Sequence, residues 1–375
     1  MISITSRIGA AYRVVRNTFG VYVTPVLSMG LFAALRTSVA IGMALDNVFF
    51  PSLKKADPSR PIVLVGNPRT GTTFLQRFLA DQGFGAGLQL WRMLYPSLTL
   101  QIFLKPLLPI LEVISPARHH STVAHKTSLS SVETDDVGVL FRYFDGFFLY
   151  GFFLAFDDED HLDAFAPENR NTNDRDFAWL RELWRRNLVA QGAERHVGKL
   201  FSLSTRLPAF LDAFPEAHIL YMARDPVSVI PSGMSLVTGV LDKRFGFWTL
   251  PEDVRNRYLE RLYAAFVELQ RRFTEDWTSG KIDQDRVYIV RYDRMMKDFD
   301  GMMAEVMQHI GHDATEAQLT AIAERAEKQR AYVSKHKYDL DKFGLSEDRI
   351  RQDCAFYYDT FLPPIDLEGA PGSRG

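Results

Sequence analysis

The chain has 375 residues, a formal net charge of −2 and a single cysteine, Cys354. That length supports one large α/β domain or two smaller ones with ample core, while the near-neutral balance supplies no field for nucleic acid and argues against that partner class. One thiol excludes a disulfide within the chain, in keeping with a reducing, cytoplasmic compartment.

Residues 1–45 carry Arg7, Arg13, Arg16 and Arg36 and no acid before Asp46. Ile8, Ala11, Tyr12, Val15, Phe19 and Tyr22 recur at helical spacing, which predicts an amphipathic helix running to about Pro25. Two readings stand open for it. It lies at a membrane surface with its arginines toward anionic head groups, which would attach the chain to the inner face of the membrane, or it packs on the domain. The apolar stretch is too continuous for a secretory signal, and Pro25 and Arg36 leave too short a window for a spanning helix. Residues 1–50 are therefore expected as a helical extension ahead of a domain at 51–362, with a frayed tail at 363–375.

After a polar connector at 54–61, residues 62–65 (IVLV) read as a buried strand, followed by a turn and a helix from Thr72 to about Asp81. Phe74, Leu75, Phe78 and Leu79 lie on one side of that helix, as packing on a sheet requires. From Gly66 the turn reads G-x-x-x-x-G-T-T. This is a phosphate-binding loop in outline, because loop amides and a helix N-terminus converge on one point. A nucleoside-triphosphate site would carry lysine where Thr72 stands, and the positive charge sits instead at Arg69. Such a loop suits a single phosphate or phosphosulfate better than a triphosphate with magnesium. The alternative is a strand-turn-helix whose glycine only eases the turn.

Residues 98–114 are apolar with two prolines and cannot form one regular helix. Residues 137–156 hold nine aromatic side chains and predict a core or lipid-facing helix, in which Arg142 and Asp145 pair one turn apart. So much aromatic surface also suits the wall of a pocket for an apolar substrate. The acidic run 157–163 reads as a solvated face.

Three further apolar segments read as strands: 197–202 (VGKLFS), 218–223 (HILYMA) and 286–292 (RVYIVRY). Helical patterns at 207–214 and 258–277 separate them. The expected fold class is α/β: a P-loop-like three-layer sandwich with a mostly parallel central sheet, helices on both faces and ligands at the carboxyl ends of the strands. Arg224 ends the third strand, Asp225-Pro226 turns the chain, and Ser232 follows eight residues after Arg224. Together with the first loop they predict a ligand with two separate anionic ends.

Taken together, PRTGTTFL (68–75), ARDPVSVIPS (223–232), VRYDRM (290–295) and KYDLDKFGLS (337–346) resemble the sulfotransferases that use 3′-phosphoadenosine 5′-phosphosulfate, in particular a bacterial branch related to the tyrosylprotein and lipid sulfotransferases. The resemblance covers about residues 45–362. It implies that Arg69, Thr70, Gly71, Thr72 and Thr73 hold the 5′-phosphosulfate, that Arg224 and Ser232 bind the 3′-phosphate, and that Tyr292 contacts the nucleotide. Lys199 stands where related bacterial sequences carry a lysine; the alternative is an ordinary surface lysine. Related members also carry a histidine followed eight residues later by a glutamate. His125 and Glu133 match, with Glu133 the first candidate for general base and His125 the second. Against this, Glu133, Asp135 and Asp136 could simply open a helix and favour its positive end. GLQLWRM (87–93) departs from the tyrosylprotein branch, which puts a protein-tyrosine acceptor in doubt.

The histidines, including His119 and His120, lack metal-ligand spacing, and no metal is expected. The expected activity is transfer of a sulfonate group to a hydroxyl of an apolar, lipid-like acceptor, leaving adenosine 3′,5′-bisphosphate. The rival readings are a P-loop kinase-like phosphotransferase and a non-catalytic, membrane-associated nucleotide-binding protein.

Overall fold

The computed structural model of the chain describes residues 3–114, 128–331 and 339–363. At its centre lies a parallel sheet of β1 (Ile62–Val65), β2 (Ala86–Gly87), β3 (His196–Lys199), β4 (His218–Ala223) and β5 (Val287–Arg291), ordered β2-β3-β1-β4-β5. Strands β1 and β4 have the expected bounds. β3 ends at Lys199, earlier than expected, because the chain turns into a 3-10 helix at Ser202–Thr205. β2 is an edge strand of two residues, too short to show a period.

Every residue of β1 is buried because helices cover both faces of the sheet. Val63 and Val65 enter the larger core with Ile219, Tyr221 and Phe273, while Ile62 and Leu64 enter a second core with Leu75, Leu79, Phe299 and Met302. A strand that meets helices on both sides must be apolar at every position, which is why IVLV shows no alternation. The result is the expected three-layer, P-loop-like sandwich. β3 and β4 flank β1, so the loop leaving β1 opens into the crevice at the strands' carboxyl ends, where the strand order switches.

The N-terminal region forms two helices, α1 (Ile4–Phe19) and α2 (Val23–Phe49), where one running to about Pro25 was expected. Gly20 ends α1 with φ 65°, and Pro25 lies in the first turn of α2, where a missing N–H costs nothing. Of the two readings for the amphipathic helix, α1 takes the packing one: Ala10, Ala11, Val14 and Val15 are buried. Arg7 donates to the carbonyls of Phe144 and Tyr143 at 2.9 and 3.0 Å. Contrary to expectation, α2, with 27 residues, is long and apolar enough to cross a membrane by length and composition. Near its end Asp46, fully buried, accepts hydrogen bonds from Ser97 Oγ, the amides of Leu98 and Thr99, Thr99 Oγ1 and Arg186 Nε.

Residues 98–114 break as their prolines demand, into helices Leu98–Leu104 and Leu108–Ile114 joined by the turn Lys105–Leu107. Residues 137–156 do not make one helix. Asp136–Tyr143 is followed by Phe144 at φ 49° and Gly146 at φ 97°, and only then by Phe147–Phe152. The expected Arg142–Asp145 pair does not form, because the break turns the two residues apart. Arg142 lies over the Trp179 ring at 4.8 Å, and Asp145 faces Arg7, Arg170 and Arg175. The acidic run is only partly solvated: Asp157 is buried and pairs with Arg13 at 2.7 Å.

Candidate active site

The loop between β1 and α3 (Thr72–Asp81) is shaped by three residues with positive φ: Gly66 at 129°, Arg69 at 77° and Gly71 at 97°. The glycines belong there because a side chain would collide. A Cβ on Gly66 would lie 2.9 Å from the carbonyl oxygen of Met222, and one on Gly71 would lie 2.7 Å from Met295 Cε and 3.2 Å from the Tyr292 ring. Arg69 holds the same left-handed backbone without that excuse, which strains the residue whose side chain the loop presents. Thr70 Oγ1 bonds back to the carbonyl of Asn67 at 2.8 Å and closes the turn. The first amides of α3 point out of its end at the enclosed space, as helix N-termini do.

On the β4 side of this loop the residues expected at two anionic ends meet. Arg69 Nε donates to Ser232 Oγ at 3.0 Å, Arg224 Nη1 donates to the Arg69 carbonyl at 2.8 Å, and the Arg224 guanidinium lies 3.8 Å from the Tyr292 ring centroid. Ser232 is brought back by the helix Pro226–Phe245, which Asp225 caps by accepting from the Val227 amide at 3.0 Å.

On the β3 side, register places Lys199 beside Leu64, the third residue of β1. Its Nζ donates to Thr73 Oγ1 at 3.0 Å. Lys199 is 1% exposed, which removes the surface-lysine alternative. Burial pushes its pKa down from the ordinary lysine value to about 8, with Glu133 favouring the charge and Arg77 opposing it.

Glu133 lies on a stretch tied to the sheet. Its amide donates to the Leu88 carbonyl at 3.1 Å, and the Asp135 amide donates to the Lys199 carbonyl at 2.8 Å. Asp135 and Asp136 serve the scaffold. The first accepts from the Lys199 amide at 3.2 Å and faces His196 Nε2 at 3.2 Å. The second accepts from the amides of Phe201 and Ser202 at 2.7 and 3.3 Å, and burial pushes its carboxyl up. The side chain of Glu133 turns elsewhere, to Arg77 Nη2 at 3.2 Å and Ser131 Oγ at 2.8 Å.

Of the residues picked from the sequence, Arg69, Arg224, Ser232 and Tyr292 meet on one side of the loop, Lys199 meets Thr73 on the other, and Glu133 reaches Arg77 one turn further along α3. His125 lies outside the described residues. Arg77 was missed, although Thr73 and Arg77 stand four apart on α3 and so share a face.

The sulfotransferase family pattern matches residues 61–316. The omega-hydroxy-beta-dihydromenaquinone-9 sulfotransferases Stf3 of Mycobacterium bovis and Mycobacterium tuberculosis are each 24% identical to the chain over 311 residues, 77% of this chain and 76% of theirs. Among solved structures, the sulfotransferase STF1 from Mycobacterium tuberculosis superposes with a TM-score of 0.70 at 17% identity, covering 94% of this chain and 92% of that one. STF9 from Mycobacterium avium does so with a TM-score of 0.63 at 18% identity, covering 86% and 82%. These two share the fold. With its pattern matched over more than half its length, the chain belongs to the sulfotransferase family.

Proposed function

We propose that the chain transfers a sulfonate group from 3′-phosphoadenosine 5′-phosphosulfate to a hydroxyl of an apolar, lipid-like acceptor, on the cytoplasmic side of a membrane and without a metal. The observation that carries the reading is the set of cations around the loop. Arg69 and Arg224 meet on the β4 side of the loop and buried Lys199 reaches Thr73 on its β3 side, and among the described residues none of them makes an ion pair with a carboxylate. One buried and two half-buried cations without a carboxylate partner favour an anionic ligand.

In this reading the loop amides, Thr72 and Thr73 hold the 5′-phosphosulfate, and Arg224 and Ser232 hold the 3′-phosphate with Tyr292 beside the nucleotide. The Arg69–Ser232 hydrogen bond opens when donor enters, which frees Ser232 for the 3′-phosphate and Arg69 for the sulfonate end. The acceptor oxygen attacks sulfur in line and gives its proton to Glu133, which Arg77 and Ser131 orient. The bond from sulfur to the bridging oxygen breaks, and Lys199 steadies the charge left on the departing adenosine 3′,5′-bisphosphate. His125 remains the second candidate for the base. The lipid-like acceptor rests on the Stf3 relatives, whose name specifies a hydroxylated menaquinone derivative, and on the apolar helices beside the Glu133 stretch.

The kinase-like rival needs a lysine where Thr72 stands. The test is a thermal-shift titration. Stabilisation by adenosine 3′,5′-bisphosphate without magnesium supports sulfonate transfer; stabilisation by magnesium ATP alone sinks it. A non-catalytic binding protein would pass that test and then fail to move labelled sulfonate to any lipid.

A further inference from the structure

α2 presents the domain with a narrow stripe and leaves the rest of its circumference outside. Only Val39, Gly42 and Asp46 are buried along it, while Val26, Leu27, Leu31, Ile41, Val48 and Phe49 are 58, 62, 74, 59, 72 and 64% exposed. The 98–113 arm packs alongside, and a Cβ on Gly42 would lie 2.5 Å from Ser97 Oγ and 2.9 Å from Leu100. The arm exposes Ile102, Phe103 and Ile110 by 60, 69 and 62%. The two segments thus share one apolar surface, larger in kind than the scattered apolar residues of a monomeric protein's exterior.

The charges around that surface are mostly basic. The two carboxylates within it turn inward: Asp46 is fully buried, and Glu112 accepts from the Leu129 amide at 2.9 and 3.0 Å. The exposed charges at its margins are Arg16 before α2, Lys54, Lys55 and the acid Asp57 after it, and Lys105 between the helices of the arm, four basic against one acidic. An apolar face with a basic margin matches an anionic lipid surface.

α2 cannot cross that bilayer, because the same globular body holds both of its ends and its middle. Before it, Phe19 stacks on Phe245 at 4.4 Å; midway, Phe32 lies 6.3 and 6.2 Å from Phe141 and Phe144; near its end Asp46 pairs with Arg186 at 3.1 Å. We propose that α2 and the 98–113 arm form one membrane-docking face, on which α2 lies lengthwise in the interface of an anionic bilayer without spanning it. The arm connects that face to the site, since Glu112 holds Leu129, four residues before Glu133. A lipid acceptor can then move from the bilayer to the crevice without crossing water.

The test is co-sedimentation of the full chain with vesicles of phosphatidylcholine, with and without phosphatidylglycerol. The wild type should bind the anionic vesicles. Leu31→Glu and Phe103→Glu, one on each segment, should each weaken binding by about tenfold or more with unchanged melting curves. Val48→Glu repeats the test at the far end of α2. Wild-type protein that stays in the supernatant, or variants that bind as well as the wild type, overturn the proposal. So does a dimer that Leu31→Glu dissolves while no vesicle is bound, since a second copy then covers the face. For orientation, Thr24→Cys and Asn47→Cys mark the two ends of α2, and the one native cysteine is buried. On sealed vesicles an impermeant maleimide should label both ends; protection of one end would mean that α2 spans. Vesicle binding needs neither donor nor acceptor, so its failure would leave the sulfonate-transfer reading untouched.

Discussion

Lys199 is a buried ammonium held by a threonine hydroxyl at the end of a parallel strand, and its proton is loosely bound. If that proton steadies the leaving phosphate, kcat/KM for donor falls as pH rises through about 8, and bound donor, being anionic, moves the limb in kcat upward. Lys199→Met should remove the limb and lower kcat by about 10²–10³-fold. The stability effect has a definite sign. The folded state releases the proton near pH 8 and the unfolded chain near 10.5, so the unfolded state holds more protons between those values and stability rises with pH there. The penalty for burying the charge is complete below about pH 8 and gone above 10.5. The stability of Lys199→Met relative to wild type should therefore decline by about 3 kcal/mol across that window, read by denaturant titration at several pH values. Arg69 offers a second separation of function from stability. Arg69→Gly relieves the left-handed backbone, so the melting temperature should hold or rise, while affinity for adenosine 3′,5′-bisphosphate falls by about tenfold or more.

Between elements, the decisive contact is one the sequence hid. Asp46 looks like the first acid after a cationic segment, yet it fastens α2 to the start of the 98–104 helix and to Arg186. Asp46→Ala leaves Arg186 and two amides without that partner in a dry site and should destabilise the fold by about 3–5 kcal/mol. Limited proteolysis should then cut near residues 96–98 first. Periodicity carried the strands and the loop because each is decided by its own residues: IVLV is apolar throughout, and G-x-x-x-x-G-T-T brings its own turn. It failed where partners far along the chain decide the outcome. Asp145 is claimed by Arg7, Arg170 and Arg175, which no local spacing shows. Pro25 was read as a stop because an isolated proline ends helices more visibly than it begins them. Arg77 was legible as the residue one turn after Thr73 and was passed over because its partner Glu133 lies 56 positions away.

For the molecule as a whole, the N-terminal region is part of the domain's construction. α1 supplies Ala10, Ala11 and Val14 to the main core. Removing residues 1–44 should therefore cost about 5 kcal/mol or more and leave a chain that aggregates or melts early, whatever its affinity for membranes. The fold class was readable because strand, loop and helix recur in order. The lay of α2 across the surface was not, since an apolar helix has the same composition whether it faces a bilayer or a core. The most direct measurement of the central claim is to incubate the purified protein, without metal, with donor carrying a labelled sulfonate and a lipid extract of its host, and to follow the label into the organic phase. The account predicts labelled lipid heavier by one sulfonate, abolished by Arg69→Ala and reduced by about 10²–10⁴-fold in Glu133→Gln. Label that never leaves the donor, or transfer of the terminal phosphoryl group of ATP to the same lipids, would contradict it.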